Sequence, residues 1–202
     1  MASDTRVSSV EALAELTNLE AVDLSTTWVV DLGPLAKLDK LRELDLIQTC
    51  VVDIAPLAGL HQLQRLFLNA SPIVSLEPLR ELRQLRHLSL ANTAVVDVTP
   101  LASLTAVERL ELAGTNVADV APLQSLTNLR ELGLHRTHVQ DVSALAGLEL
   151  ERLVVDAGLD VSVLAGRAQL HIRRYDPDAK GMPENVPIPR GPDTGRCARK
   201  PR

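Results

Sequence analysis

Aromatic side chains are almost missing from this sequence: one Trp, one Tyr and one Phe in 202 residues. A core filled without rings must be filled by aliphatic residues, and leucine dominates here. The shortage concerns shape and not total apolar content, since 46% hydrophobic and 23% charged residues are ordinary for a folded soluble chain. Long apolar runs are also missing. No stretch approaches the ~20 residues that cross a bilayer, and Met1 to Val10 lacks the apolar centre of a secretory signal. No membrane contact is therefore expected, and the expected location is cytoplasmic. The net charge of −5 lacks the basic excess that grips phosphate backbones, so no nucleic acid is expected as partner. Cysteine is limited to Cys50 and Cys197, which could pair in principle but read first as two free thiols in a reducing cytosol. Arginine greatly outnumbers lysine, a bias common in high-GC bacteria.

Signatures of catalysis are missing as well. The histidines are His61, His87, His135, His138 and His171, and none sits in an H-E-x-x-H motif. His135 and His138 are three apart but fall on a strand and a loop. No G-x-S-x-G, P-loop or G-x-G-x-x-G occurs. Cys50 has no evident base beside it. Asp23 and Asp45 stack in one column, where adjacent acids can share a proton or bind a cation, but they read as solvated. The chain is expected to be no enzyme, with no cofactor and no metal.

What the sequence has is repetition. Val22, Leu44, Leu66, Leu88, Leu110 and Leu132 follow one another by 22 positions, and so do Leu24, Leu46, Leu68, Leu90, Leu112 and Leu134. The same phase carries Thr27, Thr49, Ser71, Thr93, Thr115 and Thr137, then Val29, Val51, Ile73, Val95, Val117 and Val139. It also carries Asp31, Asp53, Ser75, Asp97, Asp119 and Asp141, and prolines at 34, 56, 78, 100 and 122, with Ala144 in the sixth copy. Self-similarity at such a period marks stacked supersecondary units.

The unit L-x-x-L-x-L-x-x-T-x-V-x-D-V-x-P-L-x-x-L-x-x resembles the leucine-rich repeat, and within that family the 22-residue bacterial type of the internalins, over about residues 7 to 174. The resemblance implies an α/β solenoid: a horseshoe with a concave parallel β-sheet and short 3₁₀ or helical turns on the convex side. One departure is Thr or Ser where the family usually places Asn. A hydroxyl can still bond neighbouring turns, with fewer donors and acceptors than a carboxamide.

The residues support the same architecture directly. Leu44-Asp45-Leu46 alternates with the period of a half-buried strand. Asp53 precedes Ile54-Ala55-Pro56-Leu57, where a carboxylate can accept from free N–H groups and proline fixes φ at the start of a short turn. About ten residues remain for the convex side, which suits 3₁₀ turns. No repeat buries its leucines alone, so stability is shared between neighbours.

The expected organisation is an array over 1–174 and a disordered, Pro/Gly-rich tail over 175–202. Within the array, a partial repeat covers 7–15, full repeats run from 16 to about 147, and degenerate repeats cover 148–174, with a last strand at Leu170-His171-Ile172. The tail reads as a solubilising end, or else as a peptide ligand or anion contact. The strand before Val7 is missing and no cap precedes it, so the first core layer is expected to be partly open, to a docked partner or to an end-to-end dimer. Alternatively, Met1 to Arg6 folds over that edge. Trp28 is expected to cover it.

Function should lie on the concave strands, whose exposed positions have no packing duty. Phe67 is the lone Phe and points outward, with Ile47 and Arg65 nearby, the composition of an interface hot spot. The candidate partner-binding residues are Glu43, Asp45, Ile47, Arg65, Phe67, Asn69, His87, Arg109 and Glu111. The leading expectation is a non-catalytic module that binds another protein. Similar repeats in sensor arrays of bacterial NACHT-type NTPases imply the alternative of a detached regulatory array.

Overall fold

The computed structural model describes residues 7–176 and Cys197. Eight short strands form one parallel sheet in sequence order. They are β1 (Ala21–Asp23), β2 (Glu43–Asp45), β3 (Arg65–Phe67), β4 (His87–Ser89), β5 (Arg109–Glu111), β6 (Glu131–Gly133), β7 (Arg152–Asp156) and β8 (His171–Tyr175). Equivalent positions pair across the sheet, as in Leu44 with Leu66 and Leu110 with Leu132. Each strand from β1 to β7 leads through a turn to a 3₁₀ segment, such as Gly33–Lys37 or Ala121–Ser125, on the opposite side. This is the leucine-rich-repeat solenoid. Among the described residues, no helix is long and apolar enough to cross a membrane.

The core is one continuous aliphatic column. In the second repeat Leu41, Leu44, Leu46, Val51, Ile54, Leu57 and Leu60 are all buried, none more than 2% exposed. Alternation places Leu44 inward between Glu43 and Asp45, because successive strand side chains point to opposite faces. The acid before each 3₁₀ segment holds the chain as it enters the turn. Oδ1 of Asp31, Asp53, Asp97, Asp119 and Asp141 accepts the N–H two residues on, each at 2.8 Å. Ser75 does so more weakly, at 3.3 Å to Glu77 N.

The hydroxyl ladder differs from its expected role. Thr27, Thr93, Thr115 and Thr137 donate to the carbonyl three residues earlier, at 2.6–2.7 Å, and Thr49 does so at 2.9 Å. These bonds close each repeat on itself. Between repeats, Ser71 donates to Leu46 O at 2.7 Å, and its Oγ lies 3.0 Å from Thr49 Oγ1. Ser and Thr carry the hydroxyl on the same atom, Cβ, so their reach is equal, and in five of the six repeats it bonds within its own turn.

Directly before the ladder, Thr26, Gln48, Ala70, Asn92, Gly114 and Arg136 all have φ between 55° and 67°. The chain must reverse its bend there as it leaves the sheet, and only Gly114 meets that without a Cβ clash.

At the start, residues from Val7 supply half a repeat. Val7 O accepts Trp28 N–H at 2.8 Å, Val10 is buried, and Leu13 and Leu19 pack on the core. Leu16 remains 49% exposed at that edge. The reading in which Met1 to Arg6 covers the edge lies outside the described residues. At the other end β7 follows β6 by one residue fewer, pairing Leu132 with Leu153, and β8 runs on to Tyr175, beyond the expected boundary. The tail reading lies outside the described residues except at one point. The expectation of two free thiols is corrected there: Cys50 and Cys197 form a disulfide, with Cα atoms 5.4 Å apart. Separation of 147 residues along the chain says nothing about separation in a solenoid whose end returns to its second repeat.

Candidate functional site

The outward positions of the strands form columns across the sheet. The first runs Glu43, Arg65, His87, Arg109, Glu131, Arg152, because these residues occupy one register position. Register brings ion partners side by side. Arg65 pairs with Glu43, while Glu131 accepts from Arg109 at 3.2 Å and from Arg152 at 3.1 Å. His87 lies between the two groups. Its pKa is lowered by burial and by the nearby charges of Arg109 and Arg65.

The second column runs Asp23, Asp45, Phe67, Ser89, Glu111, Gly133, Val154. Its acids are tied to their own strand ends. Asp23 Oδ1 accepts both the N–H and the hydroxyl of Ser25, at 2.9 and 2.7 Å, which lowers its pKa. Asp45 Oδ1 accepts Ile47 N–H at 2.9 Å. Burial nevertheless raises its pKa, helped by the charges of Asp23 and Glu43. The two acids thus shift in opposite directions, and Asp45 departs from the solvated state expected for it. Glu111 accepts Ala113 N–H at 2.9 Å, and its carboxylate lies over Gly133, where any methyl group would overlap it. Burial raises its pKa too, against the hydrogen bonds that lower it. In the third column Asn69 Oδ1 accepts Ala91 N–H at 3.1 Å, one repeat along.

Together these columns wall a hollow of about 420 Å³ across β3 to β7. Phe67 closes one end and Val154 the other. His87, Arg109, Glu131 and Arg152 form one side, and Glu111 over Gly133 forms the floor. Four of the predicted residues, Phe67, His87, Arg109 and Glu111, meet in this hollow. Glu43 and Arg65 pair beside it, Asp45 and Ile47 lie on the β2 side of Phe67, and Asn69 follows Phe67 in its own repeat, all three outside its lining. Ser89, Glu131, Gly133, Arg152 and Val154 extend the site toward β7. Gly133 is the signal that could have found them, because a missing side chain in a column of larger ones makes a depression. Among the described residues, no group of three His, Cys, Asp or Glu side chains is placed to hold a metal.

No protein-family model and no curated protein sequence matches the chain. Solved structures do. Internalin C2 of Listeria monocytogenes is 34% identical, with a TM-score of 0.73, over 76% of this chain and 68% of that one. The chain belongs to the internalin-type leucine-rich-repeat proteins. Listeria internalin F is 30% identical with a TM-score of 0.78, over 83% of the internalin-type chain described here and 50% of its own length. A plant peptide hormone receptor in complex with RGF2 shares the fold at 16% identity and a TM-score of 0.71, over 84% of this chain and 30% of the receptor. The array is thus an internalin-type repeat scaffold, and it spans half or less of these two longer neighbours.

Proposed function

We propose that this protein is a non-catalytic binding module that holds an extended segment of another protein in the hollow between β3 and β7. The observation that carries the reading is the make-up of that hollow: a half-buried aromatic ring beside arginines already held in place by ion pairs, over a floor opened by Gly133. An aromatic and arginines around a depression are the residue types that dominate binding energy. Arg109 and Arg152 are positioned by Glu131 before any ligand arrives, so less side-chain freedom is lost on binding. The plant receptor, on the same fold, has a peptide hormone for ligand.

A random peptide library selected on the immobilised chain tests this. Enriched peptides are expected to lose roughly tenfold in affinity, about 1.4 kcal/mol, with either Phe67→Ala or Arg109→Ala. They should be unaffected by Gln124→Ala on the exposed convex side. Peptides that tolerate both concave substitutions would place binding elsewhere and refute the reading.

A further inference from the structure

A second surface lies on the flank, between the sheet edge and the convex turns. Six large apolar side chains stay exposed among the described residues, and four of them are Val30, Val52, Val74 and Val96. All four are 55–58% exposed, although each adjoins an inward residue that is fully buried. They occupy one position of four successive repeats and form a continuous apolar stripe, roughly 15 Å long at ~4.8 Å per repeat. Backbone bonds such as Cys50 N–H to Val29 O and Ala94 N–H to Ile73 O hold this flank rigid. A second row accompanies it. Asp31, Asp53 and Asp97 follow Val30, Val52 and Val96 and are exposed, so the stripe is apolar on one side and acidic on the other.

Cys50 is in the same stretch, two residues before Val52. It is buried, whereas Pro72 and Ala94 at the same position of the next repeats are partly exposed, and it is bonded to Cys197. We propose that the valine stripe is the seat of this chain's own C-terminal segment, and that the Cys50–Cys197 disulfide locks a docking already favoured by contact.

Three observations support this occupant. The first is the covalent attachment in the second repeat, within the stripe. The second is reach. Six strand spacings separate β8 from β2, about 29 Å, and the twenty residues between Asp176 and Cys197 cover up to about 70 Å when extended. The third is chemical match. The segment carries Val186-Pro187-Ile188-Pro189, whose prolines preset φ and so reduce the entropy lost on docking. It also carries Arg196, Arg199 and Lys200 around Cys197, opposite in sign to Asp31 and Asp53. The stripe is a separate surface from the concave hollow, so this inference stands or falls independently of the binding role.

The chemistry is thiol–disulfide exchange. Glutathione disulfide accepts two electrons from the Cys50 and Cys197 thiols through a mixed disulfide and leaves as two glutathione thiols, and reduction is the reverse. The equilibrium reports the effective concentration of one thiol at the other. A free, flexible tether gives values in the millimolar range, and docking raises them.

The full-length chain, equilibrated in glutathione buffers and then alkylated and weighed intact, is expected to form a disulfide within one chain. Its effective concentration should be at least tenfold above the millimolar range. Val52→Ser with Val74→Ser, at exposed positions that leave the core untouched, should lower it five- to tenfold. One molar salt should lower it further by screening the charged row. The Gln124→Ser control should leave it unchanged. Three results would overturn the proposal: a double variant within twofold of the parent, a control that shifts as far as the double variant, or a disulfide that forms between two chains.

Discussion

The acid at position 111 shows how a single side chain reports on the site. Burial raises the Glu111 pKa in the folded state above its unfolded value. The unfolded chain therefore releases this proton first as pH rises, so the group's contribution favours folding at low pH and is lost as pH climbs past the unfolded pKa through the folded one. Glu111→Gln keeps an acceptor for Ala113 N–H and removes that loss. The variant should melt higher than the parent at pH 7, with the difference vanishing near pH 4, as followed by circular dichroism. A difference that is constant with pH would mean the carboxylate is not desolvated. His135 works in the opposite sense. Burial lowers its pKa, and its ring packs on Tyr175 with centroids 4.8 Å apart. Stability tied to neutral His135 is full above the unfolded histidine pKa and falls as pH drops through it toward the folded value. His135→Phe should flatten the parent's loss of melting temperature between pH 7 and pH 5. Neither shift was legible in the sequence. Exposure on a strand is set by which neighbour is small, and Gly133, which makes room for Glu111, lies a repeat away from it.

At the scale of one repeat, the periodic residues were readable because each has a local duty. Leucines at alternating positions must turn inward, proline must stand at the start of a turn, and the aspartate two residues before a free N–H must cap it. Asp119→Ala should therefore cost about 1 kcal/mol, the usual worth of such a cap, measured by urea titration with an unchanged slope. The positive-φ position escaped notice because its occupants share no chemistry: Thr26, Gln48, Ala70, Asn92, Gly114 and Arg136 are alike only in backbone. Gly at Ala70 should stabilise by about 0.5–1 kcal/mol, since relief of the left-handed strain exceeds glycine's added unfolded-state entropy. A loss of stability on Ala70→Gly would show that the turn is not strained. The hydroxyl ladder was visible as a column, but its partner was not. Sequence reports which residues line up, but Ser and Thr carry the hydroxyl at the same distance from the backbone, so residue type does not decide whether the bond goes up the stack, as at Ser71, or back to its own turn, as at Thr27.

For the whole molecule, period and phase settled the solenoid, the concave sheet and the convex 3₁₀ turns. The return of Cys197 to Cys50 was not readable, because no periodic rule governs a segment outside the repeats. Nor was the extent of the hollow, which depends on five strands at once. The shared register has a consequence for how such a gene can change. Because equivalent positions pair from one repeat to the next, excising or duplicating a complete unit joins surfaces that already match, while a change that slips a strand by one residue in its pairing turns the inward leucines to the other face. The outer positions are free of that rule. Length and specificity can therefore drift separately: recombination between copies changes how much surface the protein offers, and point mutation changes what that surface recognises.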